Sequence, residues 1–301
     1  MIQSKSKVAA LIMLLALTSG SQAHPSEVNL AAENAAASTS SDECGEMLFE
    51  KRQVYYCIAR TDRARNPDIL FQFHGLLGSH FIWQNLSAFK KVRKNWQQMG
   101  FVPPTVVSLS MGPYWVLTDV QKRGALLSLF HNQVLPFFES YVGGLSGGKR
   151  LLLGESMGGY NALQLYLKFP QDYKRVAVLC PALPTIPYEP SRHEILAYAK
   201  RTGAGPIRAF FTAEMAHHEF STREEWDAHN PFQLVLKTDV TAPKLYISAA
   251  DRDGYGFFEG ESKFFELAKA SGRAVEFVRI ANGRHCKMDP QSLSAFLASS
   301  K

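Results

Sequence analysis

The stretch Arg150-Leu151-Leu152-Leu153-Gly154-Glu155-Ser156-Met157-Gly158-Gly159 decides how the rest of this chain is read. Its leucines run without polar alternation, the pattern of a parallel strand buried on both faces. The residues after Ser156 read as a helix that runs to about Lys168, just before Pro170. Between them stands G-x-S-x-G. A serine at such a junction sits on a strained strand-to-helix turn with its hydroxyl exposed. Side chains two places before and after it would collide with the closely passing backbones, and glycine occupies both places. The helix N-terminus that follows aims free N–H groups and positive dipole at the serine. At ordinary Gly and Ser frequencies the pattern arises by chance on the order of 0.1 times in a chain this long. Its strand-before, helix-after context therefore carries most of the weight.

The same alternation repeats on either side of this stretch. Ile69–Phe73, Thr105–Leu109, Arg175–Leu179, Lys244–Ser248 and Val275–Ile280 read as strands. Helical spacing is found over residues 80–98, 120–141 (with a kink expected at Pro136), 257–270 and 289–299. This predicts an α/β fold whose mostly parallel sheet is covered by helices on both faces. Residues 181–241 break the rhythm, with Pro181, Pro184, Pro187 and Pro190 clustered at the start. They read as an insertion over the active site, with helix-like pieces near 191–201 and 221–228. Either Ser221 with Glu224 or Thr222 with Glu225 would make a capping box for the second piece.

A serine hydroxyl is a weak nucleophile and needs a base that is itself held by an acid. On this kind of sheet the order is Ser, acid, His. Of His193, His217, His218, His229 and His285, only His285 lies between a strand and the last helix, where strand-end loops converge. Asp251 and Asp253 both follow the strand at 244–248. The longer turn to Asp253 leaves room to come back toward the histidine, so Asp253 is favoured, with Asp251 the alternative. The two oxyanion donors are expected to be the Met157 N–H and the Leu76 N–H, with Leu77 next. Gly75 would supply the backbone freedom that turns Leu76 inward, and His74 reads as a structural hydrogen-bonder. Tyr114 and Trp115 are candidate pocket residues, although aromatic packing is the commoner use of such positions.

Other motifs dissolve on inspection. Gly143–Lys149 looks like a phosphate loop, but Arg150 replaces the Ser/Thr and a strand follows instead of a helix. His217-His218-Glu219 lacks the second histidine of H-E-x-x-H, because Thr222 stands there. The reading calls for no metal and no cofactor.

The chain has 301 residues with 46% hydrophobic and 20% charged, enough apolar material for a sizeable core. Its formal net charge of +6, with no long basic run, excludes a nucleic-acid footprint. Lys5 and Lys7, the apolar run Val8–Leu17 and the small-x-small Ser21-Gln22-Ala23 read as a signal peptide over 1–23. That run is too short for a membrane anchor, so export without stable membrane insertion is expected. Residues 24–43 read as a flexible leader, and 44–301 as a single domain. Cys44 and Cys57 flank two short strand-like runs that a hairpin would bring together, so they are expected to pair. Cys180 and Cys286 then pair by elimination or remain buried thiols.

These residues resemble those of the α/β-hydrolase fold, and within it the "putative esterase" group related to esterase D. The resemblance runs from about residue 46 to 299. It rests on Phe73-His74-Gly75, on Gly154–Gly159, on Asp253-Gly254-Tyr255-Gly256-Phe257-Phe258-Glu259-Gly260 and on Gly283-Arg284-His285. Relatives often carry a glycine where this chain has Ala249-Ala250. The resemblance implies a Ser156/Asp253/His285 triad acting on a small-molecule carboxylic ester. The same residues would equally serve acyl transfer or peptide cleavage, and a catalytically silent binding protein is the remaining class.

Overall fold

The computed structural model describes residues 42–237 and 244–299. The expected signal peptide, all but the last two residues of the leader, and the end of the insertion at 238–241 lie outside the described residues. The chain enters through a hairpin, β1 (Glu43–Phe49) and β2 (Arg52–Ala59). Its tight turn places Glu50 and Lys51 both at positive φ, 46° and 66°, the geometry that matches strand twist. Cys44 and Cys57 face each other directly across this hairpin and are bonded.

Six parallel strands follow: β3 (Ile69–Phe73), β4 (Thr105–Ser110), β7 (Arg150–Glu155), β8 (Tyr173–Leu179), β9 (Lys244–Ala250) and β10 (Val275–Ile280). The eight-stranded sheet runs β1-β2-β4-β3-β7-β8-β9-β10, with only β1 and β2 antiparallel to their neighbours. A separate two-residue pair, β5 (Asp119–Val120) and β6 (Gly124–Ala125), lies outside it.

The apolar runs are continuous because both faces are covered. On β3, Ile69, Phe71 and Phe73 face one core while Leu70 faces the other; on β7, Leu152 goes to the first and Leu151 and Leu153 to the second. The second core holds α1 (Ser87–Gln98), through Phe89, Val92 and Trp96. The first holds α2 (Met157–Lys168), which is buried along nearly its whole length. The insertion contributes α3 (Arg192–Thr202), α4 (Pro206–Glu219), α5 (Arg223–Ala228) and α6 (Pro231–Lys237), with no strand among its described residues. The chain closes with α7 (Phe257–Ala270), β10 and α8 (Pro290–Ala298), and α8 packs on α1 in the second core.

Two helices differ from the expected pattern. The helix expected over 120–141 starts only at Leu126, because Gly124 at φ 75° closes the β5–β6 turn. Its interruption is a π-helical turn at Phe130–Val134, with the Leu135 N–H reaching back to the Phe130 carbonyl, just ahead of Pro136. The helix expected over 80–98 breaks at Leu86, whose extended backbone separates one turn at Ile82–Asn85 from α1.

Candidate active site

Ser156 stands between β7 and α2 at φ 53°, ψ −112°, a conformation costly for any residue with a side chain. The glycines around it explain how the turn closes. A Cβ on Gly154 would overlap the Gly158 carbonyl, and one on Gly158 would overlap the Phe73 carbonyl. A Cβ on Gly159 would come within 2.9 Å of Pro181 Cα. The N–H of Ser156 donates to the Leu179 carbonyl at 2.9 Å, and its own carbonyl accepts from the Ala182 N–H at 3.0 Å. The backbone of Ser156 is thereby held from both sides at the carboxyl end of the sheet.

Ser156 Oγ lies 2.9 Å from His285 Nε2, and His285 Nδ1 lies 2.6 Å from Asp253 Oδ2. The Asp253 side chain is fully buried, and its other oxygen accepts the Tyr255 N–H at 2.7 Å. A carboxylate can only accept at Nδ1, so that nitrogen carries the proton and Nε2 is free to accept from the serine. Asp251 points elsewhere: its Oδ2 accepts from both Nε and a terminal nitrogen of Arg279 at 3.2 and 3.0 Å. The loops that carry Asp253 and His285 are stitched together by the Arg252 N–H, which donates to the Gly283 carbonyl at 2.9 Å.

On the opposite side, the Leu77 N–H is committed to the Pro113 carbonyl at 2.9 Å. The N–H groups of Leu76 and of Met157, the first residue of α2, have no such partner among the described residues. The expected role of Gly75 needs correction. The residue at positive φ is Leu77, at 62°, whereas Gly75 is needed for closeness, since a Cβ there would meet Ser156 Cβ at 3.3 Å.

His74 ties this loop down. Trp115 Nε1–H, which can only donate, lies 3.1 Å from His74 Nε2, so the proton sits on Nδ1 and is donated to the Gly75 carbonyl at 2.7 Å. Burial pushes the His74 pKa down to about 4, which keeps the ring neutral.

Trp115 is 4% exposed and packs against Phe73 and Phe130. Tyr114 donates its hydroxyl to Glu219 at 2.6 Å. Glu219 also accepts from Arg123 at 2.9 Å, so the His217-His218-Glu219 run serves as an anchor for the end of α4. Among the described residues, one group of three ligating side chains is close enough for a metal ion: Cys180, His285 and Cys286. Its two sulfurs are bonded to each other and so are not thiolates.

Three neighbours of the site, Glu155, Tyr255 and Phe257, were not among the residues expected there. Glu155, the residue before Ser156, has one carboxylate oxygen buried without a partner. Burial pushes its pKa up to about 7, against the opposing pull of His285. The Tyr255 ring lies 4.7 Å from the imidazole, with Phe257 at 5.7 Å. The signal for the rings was present in the aromatic stretch after Asp253, but nothing in the pattern marked Glu155.

A family model described as "Putative esterase" matches residues 53–282. Comparison with curated protein sequences returns no match. Among solved structures, the chain is similar to a ferulic acid esterase, with TM-score 0.62 and 15% identity over 86% of this chain and 95% of that one. It is also similar to an S-formylglutathione hydrolase from Agrobacterium tumefaciens, with TM-score 0.60 and 15% identity over 90% and 96%. A bacterial brefeldin A esterase gives TM-score 0.66 and 13% identity over 97% and 85%. At these identities the structures speak to the α/β-hydrolase fold, while the family match speaks to membership.

Proposed function

The chain belongs to the "Putative esterase" family and is a carboxylesterase-type hydrolase, and from that premise we propose that it is an exported serine esterase working through an acyl-enzyme on Ser156. The observation that carries this reading is the unbroken hydrogen-bond chain from Ser156 through His285 to Asp253. His285 Nε2 takes the hydroxyl proton as Oγ attacks the ester carbonyl. Asp253 holds the Nδ1–H tautomer and stabilises the imidazolium that forms. The Leu76 and Met157 N–H groups receive the oxyanion, and each such donor is worth about 10²–10³-fold in rate. The imidazolium then protonates the leaving alcohol, and water repeats the sequence on the acyl-enzyme.

Export rests on the sequence of residues 1–23, with a mature start at His24. Two features fit it. The four cysteines form two disulfides, as an oxidising compartment favours. No helix among the described residues is long and apolar enough to cross a membrane.

A p-nitrophenyl ester series on the wild type and Ser156→Ala tests the nucleophile. The expected outcome is a loss of roughly 10⁶-fold in kcat in the variant, with no labelling by a serine-directed fluorophosphonate. Turnover retained by the alanine enzyme would remove Ser156 from the mechanism. Running the series with and without an alcohol acceptor separates hydrolysis from acyl transfer.

A further inference from the structure

His285 is carried by a loop between β10 and α8 that is turned by two left-handed residues, Asn282 at φ 56° and Cys286 at φ 59°. The residue after the base, Cys286, is bonded to Cys180, with Cα atoms 5.0 Å apart across a sequence separation of 106. Cys180 is the first residue past β8; it is 1% exposed and also left-handed, at φ 45°. Its neighbours are the residues that hold the nucleophile, since Leu179 accepts from the Ser156 N–H and Ala182 donates to the Ser156 carbonyl. The N–H of Cys180 itself donates at 2.7 Å to the carbonyl of Ser248, on the strand that feeds the acid loop. The segment from Leu179 to Ala182 thus touches the backbone of the nucleophile, the strand of the acid and, through a covalent bond, the neighbour of the base. Both sulfurs and an imidazole nitrogen lie within 4.8 Å of one another.

We propose that the Cys180–Cys286 bridge is a positioning device for the base, holding His285 Nε2 within reach of Ser156 Oγ. This rests on the serine-esterase reading above. The physical need is plain. His285 is partly exposed, with 22% of its side-chain surface open, and its loop reaches the site from a distant point in the chain. Its side-chain ties are the two hydrogen bonds used in the reaction and the flanking rings of Tyr255 and Phe257. The bond to Ser156 must break and re-form in each cycle, which leaves the Asp253 bond alone to hold the ring while the hydroxyl reacts. A covalent link one residue away holds the ring through every step. The other bridge has no such place. Cys44–Cys57 joins two positions of the edge hairpin, and β2, β4 and β3 separate β1 from β7 in the sheet.

The test compares the full mature enzyme with the double variants Cys180→Ala/Cys286→Ala and Cys44→Ala/Cys57→Ala, with Ser156→Ala run beside them. Rates are normalised to the folded fraction from near-ultraviolet circular dichroism. Misplacing a reacting group by about 1 Å costs on the order of 10²-fold. Removing the Cys180–Cys286 bridge should therefore lower kcat by about that factor with KM unchanged. Removing the hairpin bridge should lower the melting temperature and leave kcat as it was.

A bridge that merely stabilised the fold would show the reverse for Cys180/Cys286: full kcat per folded molecule and a lower melting temperature. That result, with Ser156→Ala inactive, would overturn the positioning role and leave the esterase reading standing. Activity in Ser156→Ala would overturn both. Should the double variant not fold, the wild type is reduced with a water-soluble phosphine. Phosphorus is oxidised to the phosphine oxide with oxygen from water, and each bridge accepts two electrons and two protons to give two thiols. The freed thiols are mapped by alkylation in quenched aliquots. Loss of kcat should track opening of Cys180–Cys286 and return on reoxidation; kcat unchanged with that bridge open would overturn the proposal.

Discussion

The ends of β7, β9 and β10 and the insertion that begins at Pro181 are held by different kinds of force. At the strand ends, backbone does the holding. Glycines at 154 and 158 allow main chains to pass where no Cβ fits, and main-chain bonds clasp Ser156 and join the Asp253 loop to the His285 loop. The insertion has main-chain ties too, from the Ala182 N–H to the Ser156 carbonyl and from the Gly205 N–H to the Gly254 carbonyl, but its helices are fastened mainly by side chains reaching far along the sequence. Glu219 binds Tyr114 and Arg123, Arg201 binds Glu259, and the Tyr198 hydroxyl donates to the Tyr255 carbonyl at 2.7 Å. Ser156, Asp253 and His285 are thus set at the strand ends of the sheet, whereas the helices of the insertion are attached to it. Substitutions in the first region should strike kcat, and those in the second should strike stability and substrate fit.

The largest expected effect separates two acids that stand two residues apart. Asp253→Asn should lower kcat by about 10⁴-fold, because an amide in place of the carboxylate favours the wrong imidazole tautomer. Asp251→Asn removes only an ion pair with Arg279, whose side chain is 62% exposed. Such a pair is worth at most about 1 kcal/mol of stability, and kcat should not change. If Asp251→Asn were the inactive variant, the acid loop would be misread and the contrast would fail at its core.

The next effect lies beside the nucleophile and shows in pH. The Glu155 carboxyl titrates near 4.5 when unfolded and about 7 when folded, because burial disfavours its charge. Between those values the unfolded chain gives up a proton that the folded chain keeps. The native state is therefore fully favoured below 4.5, loses stability as pH rises to about 7, and changes no further from this group above that. The full span is about 3 kcal/mol. Glu155→Gln should abolish this component, so its stability relative to wild type should rise between pH 4.5 and 7.5 in urea titrations. A difference that is flat in pH would mean that Glu155 is ionised throughout.

Glu219→Ala tests the attached part. It strands the Tyr114 hydroxyl and takes one partner from the Arg123 guanidinium, which is 30% exposed and keeps its contact with the His218 ring. The cost should be about 2 kcal/mol, read as a lower denaturation midpoint, with kcat on a small ester unchanged. A large fall in kcat at full folding would show that the cover also shapes the reacting centre.

The same division governs what the sequence made legible. The six parallel strands, Ser156 and the glycines around it were readable because each is a local pattern with a local cause. That Asp253 and His285 come together with Ser156 follows from chain order and strand placement. Glu155 was not legible, because its surroundings are assembled from residues distant in sequence. Helices α4 and α6 were also passed over, although each opens with a proline at its first position, Pro206 and Pro231, a usable start signal. The bonds that dock the insertion leave no periodic trace at all.

The smallest expected effect decides between two readings of one helix start. Ser221 with Glu224 and Thr222 with Glu225 are equally good capping boxes on paper, and they differ by a single residue of register. In the structure Thr222 is the cap of α5: its Oγ1 accepts the Glu225 N–H at 3.2 Å. Ser221 contributes its backbone N–H, which donates to the Glu225 carboxylate at 2.7 Å and survives any change of side chain. Thr222→Ala should therefore cost about 1 kcal/mol, seen as a small drop in the denaturation midpoint, while Ser221→Ala should cost much less. Both should leave kcat untouched, because α5 belongs to the attached part and holds none of the reacting groups. If Ser221→Ala were the costlier change, the register of α5 would shift by one residue. The His229 ring would move with it, and so would the 3.1 Å bond by which that ring accepts the Asp119 N–H and ties the insertion to the β5–β6 turn.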